Sequence, residues 1–261
     1  NFHGRTVTIV SFSTEQLYKD AFGPFTPGFK VVTYGDIDEI KAAITPNTAA
    51  ILLEPIQGEN GVVLPPDGYL KAVSELCKEN NVLFIADEIQ TGLCRTGKWF
   101  ACQHEDVHPD VTVIGKALSA GMYPVSAVLA SDEVLGLFQP GEHGSTFGGS
   151  PMAAAVAVAA LEVLENENLA ERATELGNYF MSKLREISSP AVKEVRGRGL
   201  LIGVELYPEA GGARRYCEML QDAGILAKET HDHVIRFAPP LVIDKDTLDW
   251  ALGIIADVLK R

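Results

Sequence analysis

The feature that most constrains the fold is a series of short apolar strands that alternate with helical segments. Strands are predicted at residues 49–54, 82–86, 111–114 and 126–130. Alternation of this kind is typical of βαβ units, which build a mainly parallel sheet. Only about ten residues separate the third strand from the fourth, which is short for a parallel crossover. The fourth strand is therefore expected to be antiparallel and to lie at or near an edge of the sheet.

Strands and helices are also predicted before and after these four strands, so the α/β organisation continues along the chain. Further strands are predicted at Val31–Tyr34, 200–206 and 234–237, and helices at 36–44, 69–80, 151–165, 168–187, 213–223 and from about 244 onward. Asp36 provides an N-cap for the first of these helices. The fold class is α/β. We interpret residues 1–164 as a large domain with a mostly parallel sheet, and residues 165–261 as a smaller C-terminal α+β domain.

Composition argues against several classes of protein. The formal net charge of −13 disfavours binding to nucleic acid, because the phosphates would be repelled. No apolar run approaches the roughly 20 residues of a membrane span, and no signal peptide is recognisable. The four cysteines lack metal-type spacing and are expected to be reduced thiols. We therefore expect a soluble protein of a reducing compartment, the cytoplasm or the mitochondrial matrix, without a metal site.

Two neighbouring strands of the predicted sheet end in opposite charges. The strand at 82–86 leads into Asp87, and the strand at 111–114 leads into Gly115 and Lys116. Ligands of open α/β sheets lie beyond the carboxyl ends of the strands, so the carboxylate and the amine are expected to share one cavity. This pair is what an enzyme needs to hold pyridoxal phosphate, whose aldehyde reacts with an amine and whose ring nitrogen pairs with an acid.

Simpler interpretations of the same residues stay open at this point. A carboxylate after a strand often caps the next turn, and a lone Gly-Lys is often a solvated loop. A non-catalytic α/β binding module, in which Asp87 and Lys116 form an ion pair, is therefore an alternative.

Four further strings appear in a fixed order along the chain and carry more information together than any one of them alone. They are Glu54–Gly61, Ala86–Gly92, Gly115–Ser119 and Gly144–Gly149. With them the chain resembles the class III aminotransferases of the fold-type I pyridoxal phosphate enzymes, over essentially its whole length. The resemblance implies that Lys116 forms a Schiff base with the cofactor and then moves a proton between substrate and cofactor carbons.

The resemblance also implies roles for residues around this lysine. Asp87 would keep the ring nitrogen protonated, Gln90 would bond the cofactor's phenolic oxygen, and Phe2 would stack on the ring. His3 is expected to be a supporting neighbour and not a proton carrier. In the family the Ser145–Thr146 segment reaches the cofactor of the partner subunit, so the resemblance implies a homodimer.

Arg5 and Arg236 are the candidate clamps for substrate carboxylates, because a guanidinium matches a carboxylate with two hydrogen bonds. The resemblance implies that Glu59 pairs with Arg236 in one half-reaction and releases it in the other. Strings at 1–6, 22–25, 123–129, 141–146 and 236–241 are similar to the branch of the family that takes ornithine as amino donor and 2-oxoglutarate as acceptor. Acetylornithine or 4-aminobutyrate as donor, and a decarboxylase or aminomutase on the same scaffold, are the alternatives.

The sequence starts with Asn1-Phe2-His3 and has no initiator methionine. In the family, the main phosphate-binding turn precedes the segment that resembles these residues. We therefore expect a protein limited to these 261 residues to bind the cofactor poorly unless an N-terminal segment completes the site.

Overall fold

The computed structural model describes residues 1–261 and contains two four-stranded sheets. The strands of the first sheet are β1 (Ala50–Leu53), β2 (Leu83–Asp87), β3 (Val111–Ile114) and β4 (Ala127–Ala130). Those of the second are β5 (Val192–Arg198), β6 (Leu201–Leu206), β7 (Lys228–Thr230) and β8 (Val234–Phe237). The α-helices are α1 (Val7–Ser11), α2 (Ile37–Ala43), α3 (Tyr69–Glu79), α4 (Asp132–Leu135), α5 (Pro151–Asn166), α6 (Leu169–Glu186), α7 (Ala213–Asp222) and α8 (Lys245–Leu259).

The first sheet confirms the predicted α/β organisation. Its order is β1-β2-β3-β4, with β1, β2 and β3 parallel. β4 pairs antiparallel with β3 and lies at the edge, as the short connection predicted. The register aligns Leu53 with Ala86 and Asp87 with Val113. The carboxyl ends of the three parallel strands therefore meet along one edge of the sheet, where a ligand can lie.

One prediction for helix α2 and the segment before it is confirmed, and one is wrong. The side chain of Asp36 accepts a hydrogen bond from the backbone of Glu39, which is the predicted N-cap. The predicted strand at Val31–Tyr34 is absent, and these residues form an extended loop ending in a turn. Its anchor is a side chain, since the Tyr34 hydroxyl donates to the carbonyls of Glu54 and Pro55 at 3.0 and 2.9 Å. The two hydrogen bonds of the Tyr34 hydroxyl thus take the place of the backbone hydrogen bonds that a strand would make here.

The second sheet is antiparallel throughout, in the order β5-β6-β8-β7. The strands at β6 and β8 match the predicted ones, whereas β5 and β7 were not predicted. Helices α6 and α7 pack on this sheet and α8 packs on both helices, and the apolar side chains of all three form the largest buried cluster together with those of the sheet. Ile114 and Leu118, which flank the end of β3, belong to the same cluster. Side chains at the end of the first sheet therefore share a buried core with the second sheet and its helices.

The division of the chain at residues 164 and 165 stays a prediction. Helix α5 (Pro151–Asn166) runs across this boundary, and it packs both on the turn that begins at Lys116 and on α6. All four cysteines are buried free thiols. No helix of the chain combines the length and the apolar character that a membrane span needs.

Candidate active site

Asp87 is the last residue of β2 and is 6% exposed. One of its carboxylate oxygens, Oδ1, accepts a hydrogen bond from the backbone N–H of Ile89 at 3.0 Å. The other, Oδ2, lies 2.8 Å from Nδ1 of His3. The sheet therefore holds this carboxylate at the carboxyl edge, and a histidine from the start of the chain fixes its orientation.

The first residues of the chain are bound to the same edge through a second buried carboxylate. Glu54, just after β1, is 4% exposed and accepts hydrogen bonds from the backbone N–H groups of Phe2 and Gly58, both at 3.1 Å. Burial raises the pKa of Glu54, and these two donors and His3 act against that rise. The ring of Phe2 stands edge-on to Tyr18, with centroids 6.1 Å apart. His3 thus contacts Asp87, and Phe2 precedes it in the segment that Glu54 holds.

Lys116 follows β3 and opens a short 3-10 turn that ends at Ser119. Its φ of +42° is a left-handed conformation that costs a non-glycine residue free energy and that often accompanies functional sites. The side chain lines an open cavity with Ser119, Pro124, Val125 and Ser126. Lys116 is solvent-accessible within that cavity.

The protein around Lys116 changes the protonation of its amine. Partial burial lowers the pKa of Lys116, whereas the carboxylates of Asp87 and Glu59 act in the opposite direction and Arg236 adds to the lowering. Two conclusions follow. The amine is shifted toward its neutral, nucleophilic form. The charge of Asp87 also acts on this amine, and Val113, the register partner of Asp87, precedes Lys116 by three residues, so the two residues that the sequence singled out follow neighbouring strands of the sheet.

Arg236 connects the second sheet to this edge. It lies in β8, and its Nη1 donates to Glu59 Oε1 at 2.8 Å and to Gln90 Oε1 at 3.0 Å. Lys228, its register partner on β7, reaches Glu59 Oε2 at 3.4 Å. Burial alone would raise the pKa of Glu59, but Arg236 and Lys228 together hold it below the usual range. Glu59 therefore stays ionised and covers the guanidinium.

Gly58 shows how closely the backbone approaches this cluster. A Cβ atom at Gly58 would stand 2.5 Å from Oε1 of Gln90, which is far inside van der Waals contact. A side chain at position 58 would therefore displace the Gln90 amide from its present place beside Arg236. The Nε2 group of Gln90 makes no hydrogen bond within the chain, so it is free to donate to a ligand.

The other candidate residues lie apart from the buried edge. Arg5 is exposed and its guanidinium stacks on the ring of Tyr18 at 4.0 Å, without a carboxylate partner. Ser145 and Thr146 are exposed, as is every residue from 141 to 149. Ser145 Oγ accepts only from the backbone of Gly148, at 3.1 Å. Within one chain, neither residue contacts the Asp87 edge.

Two residues of this site were missed or underrated from the sequence. No role was predicted for Glu54, although it directly follows β1 in the same way that Asp87 ends β2. That strand-end position was the available signal. The bond between His3 and Asp87 joins residues 84 positions apart, and no local pattern could reveal it.

These groups fit a ring-shaped aldehyde cofactor. An accessible amine with a lowered pKa can capture a carbonyl carbon, and a buried carboxylate can pair with a ring nitrogen. Both oxygens of the Asp87 carboxylate are already oriented, one by the backbone of Ile89 and the other by His3. A paired arginine at the same edge offers a carboxylate-binding fork. Fold and site together define an α/β protein that carries an amine, a buried acid and a paired arginine near one edge of its first sheet.

Comparison with known proteins leads to the same class. The family model for class III aminotransferases matches residues 1–259. The ornithine aminotransferase of Exiguobacterium sp. strain AT1b is 62% identical over 259 residues, covering 99% of this chain and 64% of that protein. The chain thus spans less than two thirds of the length of this curated relative.

Two solved structures also resemble the chain over most of its length. The ornithine aminotransferase of Toxoplasma gondii, in which pyridoxal phosphate partially occupies the active site, matches with a TM-score of 0.97 and 49% identity over 99% of this chain and 62% of its own. The acetylornithine aminotransferase of Elizabethkingia anophelis matches with a TM-score of 0.85 and 50% identity over 90% of this chain and 63% of its own. The chain belongs to the class III aminotransferase family.

Proposed function

We propose that the protein is a pyridoxal-phosphate-dependent aminotransferase that moves the δ-amino group of ornithine to 2-oxoglutarate, giving glutamate semialdehyde and glutamate. The observation that carries this proposal is the pairing of Arg236 with Glu59 at 2.8 Å, within electrostatic reach of Lys116. A donor that presents its distal amine needs no carboxylate clamp beside the reacting carbon. An acceptor with an α-carboxylate does need one.

The chain's own residues would divide the work as follows. When bound, the cofactor supplies a carbonyl that takes up the amino group and a ring that takes up electrons. Asp87 would hold a proton on the ring nitrogen, and His3 orients that carboxylate. Phe2 would cover one face of the ring, and Gln90 would donate to the phenolic oxygen. Lys116 would take the proton from the substrate carbon and deliver it to the cofactor carbon.

Substrate selection would depend on whether Arg236 is covered. With ornithine, Glu59 would keep the guanidinium paired, so that no carboxylate is drawn toward the reacting carbon. With 2-oxoglutarate or glutamate, Glu59 would move aside and Arg236 would bind the α-carboxylate with two hydrogen bonds. Arg5, which has no carboxylate partner within the chain, would bind the distal carboxylate of the same substrate.

The exposed segment at 141–149 supports a homodimer. Phe147 in this segment is 79% exposed and Phe138, just before it, is 58% exposed, and large apolar side chains of this kind are typical of an interaction surface. In the proposed dimer Ser145 and Thr146 would reach the phosphate of the partner's cofactor. Their hydroxyls and free N–H groups are suited to an anion.

Borohydride reduction of the full chain, loaded with pyridoxal phosphate, tests the site. Mass spectrometry should find the reduced cofactor on Lys116 and on no other lysine. Lys116→Ala should lose both the label and the visible absorption of the bound cofactor. A label on another lysine would contradict the assignment of the site.

Comparison of three amino donors tests the substrate. Ornithine, acetylornithine and 4-aminobutyrate are each supplied with 2-oxoglutarate, and the cyclised semialdehyde formed from ornithine is trapped. We expect ornithine to have the highest kcat/KM. A higher value for either of the others would place the protein among the other ω-aminotransferases, of which the Elizabethkingia anophelis structure is one relative.

A further inference from the structure

Glu59 lies in a tight turn formed by residues 57–63, called here the Glu59 turn. Gln57 and Val63 close it with two backbone hydrogen bonds of 3.0 and 2.9 Å. Gly61 has a φ of +99° and Val62 a φ of +52°. The left-handed region is costly for a β-branched residue such as valine. Contacts from outside the turn must therefore hold this conformation.

Arg196 of β5 supplies those contacts. Its Nε donates to the carbonyl of Val62 at 2.9 Å, and its Nη2 donates to the carbonyl of Gly61 at 2.7 Å. Its Nη1 pairs with Glu194 at 2.8 Å and with Glu205. The guanidinium side chain is only 17% exposed. Two carboxylates of the second sheet thus fix an arginine that binds the carbonyl side of the turn.

The first sheet holds the opposite end of the turn. The backbone N–H of Gly58 donates to Glu54 Oε2 at 3.1 Å. Glu59 therefore lies between two anchors, one on each sheet. Because its own side chain bonds only to Arg236 and Lys228, its placement depends on how firmly the turn is held.

The turn also packs against the strand beside Arg236. A Cβ atom at Gly203 in β6 would stand 3.1 Å from Cβ of Val62. Gly203 is the register partner of Arg236 across β6 and β8. If Val62 moves away from β6, Glu59 therefore moves relative to the guanidinium that it covers.

We propose that Arg196 is a positioning residue that holds Glu59 against Arg236 and thereby sets the balance between the two substrates. This inference rests on the proposed function, since it concerns the same carboxylate clamp. Without the two bonds from Arg196, the turn gains freedom and the pair between Glu59 and Arg236 is populated less. Arg236 then becomes more available to an α-carboxylate, and ornithine loses its advantage.

Binding of glutarate, an unreactive dicarboxylate of the same length as 2-oxoglutarate, tests the inference without turnover. Calorimetry on the full, cofactor-loaded chain should show that Arg196→Met binds glutarate about fivefold more tightly than the parent. Arg196→Lys keeps the positive charge but loses the planar guanidinium. Its affinity for glutarate should lie between that of Arg196→Met and that of the parent. If Arg196→Met does not fold, Arg196→Lys carries the test with a smaller expected shift.

Arg185 provides a matched control. Its Nε and Nη2 donate to the carbonyl of Val195 at 3.3 and 3.1 Å, so it is also an arginine that clamps a backbone carbonyl of β5, but it does not contact the turn. Arg185→Met should lower the thermal unfolding temperature and leave the affinity for glutarate unchanged. Equal changes in Arg196→Met and Arg185→Met would reduce Arg196 to a structural residue and overturn the inference.

Single-turnover measurements separate this inference from the proposed function. The ratio of kcat/KM for 2-oxoglutarate to kcat/KM for ornithine should rise about fivefold in Arg196→Met. An unchanged ratio, in a protein whose parent reacts with ornithine, overturns only the role of Arg196. A parent that does not react with ornithine overturns the proposed function, and this inference with it.

Discussion

The two groups of candidate residues differ sharply in how completely one chain builds them. At the carboxyl edge of the first sheet, Asp87 is 6% exposed and both its oxygens have partners. In the segment at 141–149 every residue is exposed, and Ser145 bonds only to the backbone of Gly148. The edge is therefore preorganised by its own strands. The segment at 141–149 makes contacts only with itself and with its immediate neighbours Phe138, Gln139 and Ser150.

This difference indicates which properties a single chain can supply. Preorganised charges at a strand end act on a bound cofactor and substrate without further rearrangement. Exposed hydroxyls and aromatic rings gain their contacts only when another surface covers them. Substitutions at the edge should therefore affect chemistry whatever the assembly state, whereas substitutions in the segment should act through assembly.

Asp87→Asn should have the largest effect. The amide keeps the shape but removes the charge that would stabilise a protonated ring nitrogen, so kcat should fall roughly 10²–10⁴-fold. Steady-state kinetics on the loaded, full chain measure this loss. Glu88→Gln is the matched control, because Glu88 is 1% exposed and bonds to Thr91 and to the backbone of Cys102, outside the cluster. A similar loss of kcat in both variants would contradict a special role for Asp87.

Arg236→Met should rank second and should change KM more than kcat. Loss of a bidentate bond to the α-carboxylate should raise the KM for 2-oxoglutarate about 100-fold. The KM for ornithine should change far less, because its distal amine is what reacts. Kinetics of the separate half-reactions measure both values. Equal increases for the two substrates would show that Arg236 does not discriminate between them.

The edge of the sheet was predictable because it follows from local rules. The apolar strands, their parallel order and the antiparallel β4 were predicted from strand spacing and confirmed. The carboxyl ends of parallel strands meet at one edge, so the positions of Asp87 and Lys116 after neighbouring strands also followed from the sequence. The resemblance to class III aminotransferases, carried by four ordered strings, is confirmed by the match over residues 1–259.

Features that depend on distant contacts were not predictable. Val31–Tyr34 has the composition of a strand, but its tyrosine hydroxyl binds two carbonyls after β1 and no strand lies beside it. β7 is only three residues long, too short for a periodic pattern to show. The bonds from Arg196 to the Glu59 turn span more than 130 positions. Each of these depends on the tertiary fold and not on a local motif.

Thr146→Ala tests the exposed segment at 141–149 and should have a moderate effect on cofactor binding. If the hydroxyl binds the phosphate of the partner's cofactor, its loss should weaken cofactor binding about tenfold. Thermal unfolding of the protein without cofactor should not change, because Thr146 is exposed and makes no hydrogen bond within the chain.

The cofactor dissociation constant, measured across protein concentrations that span dimer formation, checks this prediction. Ser13→Ala, a change to another hydroxyl on the N-terminal part of the chain, is a control that should leave the constant unaltered. Cofactor affinity that is independent of both Thr146 and protein concentration would contradict the crossing of this segment between subunits.

Glu59 gives the smallest expected effect, and it depends on pH. Arg236 and Lys228 lower its pKa below the ordinary value of 4.5 against the opposing effect of burial. A carboxylate with a lowered folded-state pKa adds stability above its unfolded pKa and loses it as the pH falls through the folded value. The parent should thus exceed Glu59→Gln in free energy of unfolding by about 1 kcal/mol above pH 4.5. The difference should vanish below the lowered pKa. Denaturant titrations of both proteins over this range measure the difference.

The same comparison in an Arg236→Met background should give a smaller difference, because the main partner of the Glu59 carboxylate is gone. A difference that grows as the pH falls would have the wrong sign for a paired carboxylate and would leave Arg236 uncovered in the resting protein.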